Sequence, residues 1–212
     1  MVNERASAVR PHDLVWGMPL SALPADAPDW AVEAVLAGRP VVVRRQVMAA
    51  GLVAVGLRGR AREQRYAASM ACADIYRRVS PEQLVDTGVD CLQDWPALQA
   101  LRQVRPVMDS LGLSWGVGGS AGFELASGFS ALHQHSDLDL ILRTPQVVDR
   151  HWAAELVEAL ETSVCRIDVQ LQLEQGAVAL REWARPAGRV LLKSASGARL
   201  VTDPWQLAEV CA

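Results

Sequence analysis

Lysine is almost missing from this sequence: of 21 cationic residues only Lys193 is a lysine, and the others are arginines. That bias is what a GC-rich genome writes, so on its own it identifies no chemistry. A positive balance is missing as well. The formal charge is −3, which leaves no global field to draw nucleic acid. Cysteine is sparse. Cys72, Cys91, Cys165 and Cys211 form no C-x-x-C pair and no zinc spacing, as expected of reduced thiols in a cytosolic protein. Long apolar runs are missing too. The stretch QVMAAGLVAVGL at 46–57, bracketed by Arg45 and Arg58, is too short to cross a bilayer. The opening MVNERASAVRPHD has an early Glu and no apolar segment of the signal-peptide kind. Internal repeats and low-complexity segments are absent. A soluble, cytoplasmic protein with no membrane or nucleic-acid partner is expected.

What is present suffices for a proper core. The 212 residues are 50% hydrophobic and 21% charged, enough for one large domain or two small ones. A boundary near residue 85 separates an N-terminal part, 1–84, from a second part, 85–212. In the first, AVEAVLAG predicts a short helix closed by Gly38, and VVVRR (41–45) and LVAVGLRG (52–59) predict strands. AREQRYAASMACADIYRRV (61–79) reads as a helix on three-and-four spacing, and SPEQL as a turn into another. In the second part, 95–112 predicts an amphipathic helix bent or broken before Pro106. LSWGVGG (113–119) predicts a strand, and SAGFELASG a helix with Ser120 as its N-cap. DLDLILR (137–143), the helix 146–162 and CRIDVQLQLE (165–174) follow, and a helix, two short strands and a C-terminal helix complete the chain. This alternation predicts a mixed α+β fold with helices flanking a mixed sheet.

The chemistry lies in three carboxylates. Side chains at i and i+2 of a strand share a face, so Asp137 and Asp139 project together while Leu138 and Leu140 enter a core. In CRIDVQL the apolar Ile167, Val169 and Leu171 share one face, which leaves Asp168 on the other with Arg166 and Gln170. If the two strands pair, Asp168 approaches the first two aspartates, and three carboxylates at that distance repel unless a dication lies among them. Mg²⁺ or Mn²⁺ suits such oxygen-only ligands and would assist in-line displacement at phosphorus. The Gly118–Gly119–Ser120 turn lets backbone approach a phosphate closely, at a helix start whose N–H groups favour anions. Taken singly, a D-x-D is also ordinary edge polarity and a G-G-S an ordinary turn. The ordering strand, GGS, helix, SDLDL, and then a strand with a lone outward Asp favours the catalytic reading.

With that ordering the chain resembles the nucleotidyltransferase superfamily of the DNA polymerase β type. The resemblance implies Gly119 and Ser120 for the turn, Asp137 and Asp139 for the metal-binding pair, and Asp168 as the third ligand. It also implies a nucleotidyltransferase-type mixed sheet with a smaller N-terminal α+β part. One departure is the 16 residues between Ser120 and Asp137, more than the usual spacing, accounted for by an inserted loop, GFSALHQH. PHDLVW, VGLRGRAREQR, GGSAGFELASG…SDLDLIL, REWA and the terminal DPW together resemble a narrower family, the malonate decarboxylase holo-acyl-carrier-protein synthases, or phosphoribosyl-dephospho-CoA transferases. That resemblance implies two partners, 2′-(5″-triphosphoribosyl)-3′-dephospho-CoA and the apo acyl-carrier protein of malonate decarboxylase. The phosphoribosyl-dephospho-CoA group would pass to a carrier serine with loss of pyrophosphate.

Arg58, Arg60, Arg62 and Arg65 suit a polyanionic substrate or an acidic carrier, or else form a solvated helix face. Lys193, in a strand expected near that of Asp168, is a candidate phosphate contact. His133 and His135 precede the D-x-D in a loop, where histidines are ordinarily solvated. The tryptophans should mostly pack, with Trp115 a candidate for an adenine pocket. Two other readings stay open: a nucleotidyltransferase that modifies a small molecule or protein with a nucleoside triphosphate, and a silent binding module of the same fold.

Overall fold

The computed structural model describes residues 9–61, 63–87, 94–162 and 164–206. The chain divides after Ser80 into two compact units, each combining helices with a sheet, which is the expected α+β class. Arg62, Cys91, Cys211 and the expected C-terminal helix lie outside the described residues. Among the described residues no helix is long and apolar enough to cross a membrane.

The N-terminal unit is built on an antiparallel sheet of β1 (Leu14–Trp16), β2 (Val41–Val43), β3 (Leu52–Arg58), β4 (Arg65–Ala71) and β5 (Arg77–Val79), in the order β4-β3-β2-β1-β5. Helix α1 (Asp29–Leu36) turns Ala31 and Ala34 inward and ends before Gly38, whose φ is 65°. Ala31 packs on Val15, Val41, Val55 and Leu57 from the sheet. The PHD of the opening segment has a structural role here. Asp13 is fully buried, accepts the Arg10 N–H at 2.8 Å, and pairs with Arg78 at 2.7 Å, fastening β1 to β5. Removing one member of such a buried pair is costly.

Residues 61–79 depart from expectation. In place of a helix they form β4, a single 3₁₀ turn (Cys72–Asp74) and β5. Alanine favours a helix by only a few tenths of a kcal/mol per residue over most alternatives. Against that stand seven register pairs with β3, from Leu52↔Ala71 to Arg58↔Arg65, and the burial of Met70. Tyr66, Ala68 and Met70, two apart, face the core, a period that the abundance of small residues conceals.

The C-terminal unit holds a six-stranded sheet in the order β11-β10-β9-β8-β7-β6. Its strands are β6 (Trp115–Val117), β7 (Leu138–Arg143), β8 (Ile167–Gln172), β9 (Ala177–Ala179), β10 (Val190–Ser194) and β11 (Gly197–Val201). Strands β7 and β8 run parallel, joined over α4 (Arg150–Ala159), and the other described pairings are antiparallel. Helix α2 (Pro96–Ser110) buries Leu98, Leu101, Val104 and Met108 and continues through Pro106 without the expected break. Pro106 lies on the exposed face, where water can replace the missing amide.

REWA and DPW form a clamp on α4. Asp149 caps that helix by accepting the Trp152 N–H at 2.7 Å. Arg150 lies 4.0 Å from the Trp183 ring centroid and donates to the carbonyls of Trp183, Arg185, Gly188 and Thr202. Trp183 packs on Trp205 with the rings tilted by 59° and their centroids 5.2 Å apart, and the two indoles donate to the Val148 and Thr144 carbonyls. These motifs hold the fold together.

Candidate active site

Strand β6 ends at Val117 and runs into Gly118, the N-cap of α3 (Gly119–Ser127). Ser120, expected as that cap, instead lies within the first turn of the helix. The β6/β7 pairing aligns Val117 with Leu140, and the Gly118 N–H donates to the Asp139 carbonyl at 2.9 Å. The turn is thereby fixed beside Asp139. Gly119 has φ of 57°, and a Cβ on it would stand 1.8 Å from Asp139 Oδ2 and 2.6 Å from Cγ. Only glycine lets the Asp139 carboxylate lie against the start of α3.

Leu138 and Leu140 are fully buried, as the alternation requires, and Asp139 faces the other side of the sheet. The parallel register sets Asp139 opposite Asp168, so these two carboxylates share one face of adjacent strands. Asp137 stands immediately before β7, half-buried. Asp168 does not point freely toward the pair, because Arg166 contacts its Oδ1 through both Nε and Nη2 at 2.9 Å. Among the described residues no group of three or more His, Cys, Asp or Glu side chains is gathered closely enough to hold a metal ion in this arrangement.

The long connection from α3 to β7 is pinned by a residue that sequence reasoning passed over. Glu124, 7% exposed, accepts the N–H groups of Ala131 and Leu132 through Oε2 at 2.7 and 2.8 Å. Ser136 closes the loop by accepting from the His133 N–H at 3.1 Å and donating its own N–H to the His133 carbonyl at 3.0 Å. A glutamate among the apolar residues of FELAS was the signal available for Glu124. His133 and His135 themselves are exposed.

Cys165 reports on Asp137. Burial pushes the thiol above its ordinary range, a hydrogen bond to the Leu138 backbone opposes this, and the Asp137 charge adds to the rise. The folded state therefore favours the neutral thiol. The stability this contributes is present below the unfolded thiol pKa and lost as pH rises through the raised value. Near pH 8 Cys165 should alkylate more slowly than an unperturbed cysteine, and Asp137→Asn should speed it. Peptide-resolved mass spectrometry checks this, and equal rates in the two proteins would separate Asp137 from the thiol.

Other candidates lie elsewhere. Lys193 pairs with Ala177, which pairs with Gln172. It is therefore about 13 Å along the strands and about 10 Å across two of them from Asp168, contrary to the expected proximity. Trp115 is buried, with its indole N–H on Asp109 at 3.0 Å, and it packs the core where an adenine pocket was a candidate. Arg58 and Arg60 belong to the N-terminal unit. Arg58 ends β3 and Arg60 lies in the β-hairpin turn, closed by the Gly59 N–H on the Gln64 carbonyl at 3.0 Å, where a helix start was expected. Arg58 is buried and Arg60 exposed.

Residues 83–204 match the family described as the phosphoribosyl-dephospho-CoA transferase MdcG C-terminal domain, and residues 10–81 match the corresponding N-terminal domain. The chain belongs to the phosphoribosyl-dephospho-CoA transferase family. A phosphoribosyl-dephospho-CoA transferase of Pseudomonas syringae pv. tomato is 76% identical over 209 residues, 99% of each chain. One of Pseudomonas fluorescens is 59% identical over 95% of this chain and 97% of its own, and one of Pseudomonas aeruginosa 50% identical over 97% and 98%. No solved structure matches. The protein is a transferase enzyme, and the two family matches meet near the boundary between its two compact units.

Proposed function

We propose that this transferase moves phosphoribosyl-dephospho-CoA from its 5″-triphosphoribosyl precursor to a serine of the apo acyl-carrier protein of malonate decarboxylase. The serine oxygen attacks the phosphorus nearest the ribose, the new P–O bond forms as the bond to the β-phosphate breaks, and pyrophosphate leaves. The name shared by the relatives supports the transferred group. The observation that carries the assignment of the site is the Asp139 carboxylate, packed on the Gly119 backbone and in register with Asp168.

Asp137, Asp139 and Asp168 would hold Mg²⁺ or Mn²⁺, since all three offer hard oxygen donors. The position of Asp139 supports this. A phosphate at the start of α3 would meet that carboxylate directly, and a bound cation would offset the repulsion. When bound, such an ion neutralises charge on the triphosphate and activates it toward attack. The chain's own groups do the rest. The first-turn N–H groups of α3 orient phosphate oxygens along the Gly118–Ser120 turn. Asp168 takes the serine proton, a general-base role available to a carboxylate at a partly solvated edge.

Arg60 in the exposed hairpin turn would serve the polyanionic substrate. Arg60→Ala should raise the KM for the triphosphoribosyl precursor by about three- to tenfold with an unchanged melting temperature. Unchanged kinetics would make it a solvated turn residue. Arg58→Ala, by contrast, empties a buried position and should lower the melting temperature.

The reaction is tested by mass spectrometry of the apo-carrier protein after incubation with enzyme, Mg²⁺ and the triphosphoribosyl precursor. A phosphodiester-linked phosphoribosyl-dephospho-CoA adduct supports the proposal. An adenylylated carrier formed from ATP, with no adduct from the precursor, would favour the other nucleotidyltransferase reading.

A further inference from the structure

A cavity of about 440 Å³ opens where the chain leaves α4 and enters β8, lined in part by Leu160, Glu161, Arg166, Ile167 and Arg181. That volume lies within the range of small-molecule sites. Leu160 and Ile167 are buried and supply its apolar part. Arg166 precedes β8, and Arg181, of the REWA stretch, stands on the short helix α5 (Leu180–Trp183). Their guanidinium groups are only partly engaged. Arg166 uses Nε and Nη2 on Asp168 Oδ1. Arg181 donates through Nε to the Ile167 carbonyl at 3.5 Å, and its Nη1 stands 3.6 Å from Glu161, beyond hydrogen-bond reach. Arg166 Nη1 and Arg181 Nη2 thus have no hydrogen-bond partner among the described residues. Glu161 is 67% exposed, so water screens its pull on Arg181 and an anion can displace it at little cost.

Two guanidinium forks from different elements on one cavity suit an anion with two linked phosphoryl groups, one for each fork. A single carboxylate would satisfy only one of them. Among the described residues no aromatic side chain lines the cavity, so it offers a nucleobase nothing to stack on. We propose that this cavity seats a diphosphate ester, the diphosphate bridge of the dephospho-CoA moiety, through Arg166 and Arg181. This rests on the reading of the donor as triphosphoribosyl-dephospho-CoA, which carries two polyphosphate groups. The Gly118–Ser120 turn serves the triphosphate, and the cavity holds the second group. Arg166 keeps its contact with Asp168 and offers Nη1, so the seat needs no metal ion and no movement of a carboxylate other than Glu161. Anchoring the part of the donor that does not react helps to fix the part that does.

The test is calorimetry on the full-length protein in EDTA, with dephospho-CoA and inorganic pyrophosphate titrated separately. Arg181→Gln should bind dephospho-CoA about tenfold more weakly than wild type, because a charged contact is lost. Glu161→Gln should bind it about two- to fivefold more tightly, because an exposed competitor is gone. A structural disturbance would not tighten binding. Dephospho-CoA that fails to bind wild type, or binds all three proteins equally, would overturn the proposal. So would a Glu161→Gln protein that binds no more tightly, whatever Arg181→Gln does. If pyrophosphate alone follows the two substitutions, the cavity takes the leaving group and the assignment to the bridge falls. Adduct formation on the carrier by wild type separates this proposal from the reading beneath it. An adduct, with binding unmoved by the substitutions, sinks the cavity alone; binding that follows them, with no adduct, sinks the transfer reaction alone.

Discussion

Asp139→Ala will leave the protein folded and slow transfer to the carrier serine by about a thousandfold or more, the scale on which loss of a charge-stabilising group acts. The strand does not depend on this side chain. Its register with β6 and β8 is made by backbone groups, including the Asp139 carbonyl that accepts from Gly118, and Leu138 and Leu140 anchor the opposite face. The melting temperature should therefore change little. Asp139→Asn sharpens the result, because it keeps the volume against Gly119 and removes the charge. It should be nearly as inactive as alanine, with Asp137→Ala similarly impaired. A wild-type initial rate of adduct formation by Asp139→Asn, with Mg²⁺ present, would reject Asp139 as a metal-binding carboxylate.

Gly119→Ala is the second large effect, and it acts without touching an ionisable group. The new methyl would overlap the Asp139 carboxylate at 1.8 Å, and the backbone at φ of 57° disfavours any side chain. The backbone term costs about 1–2 kcal/mol, which lowers the melting temperature by about 2–8 °C in a protein of this size. Displacing Asp139 by an ångström or so should cost about a hundredfold in rate. Gly112→Ala separates the two terms. Gly112 has a similar φ of 65° but open space around its would-be Cβ, so it should lose stability and keep its rate. Equal activity in the two variants would show that the Gly119 contact does not position Asp139.

Strand parity was legible in the sequence because leucines and isoleucines alternate with the aspartates in both DLDLIL and RIDVQL. Parity also placed Arg166 on the face of Asp168. What parity does not carry is register. That Asp139 stands opposite Asp168, and not two residues away, follows from the parallel β7–α4–β8 crossover. Nor does it say which side chain a carboxylate selects, so the Arg166 contact is not legible there. The helix expected over 61–79 failed for a tertiary reason. Its small residues satisfy helix spacing well, but β3 pairs with it in register along seven residues and bonds alternate ones through the backbone. Lys193 was misplaced because order along the chain says nothing of how many strands intervene.

Apart from the Trp183 ring, Arg150 recognises its neighbours through their main chain. The side chains at positions 185 and 202 are thus left free to drift, while the guanidinium that gathers their carbonyls has no substitute of equal reach. A lysine there has one ammonium in place of a five-donor fork. Tolerance for change is therefore expected at the side chains of 185 and 202, and intolerance at Arg150, whose guanidinium gathers their carbonyls.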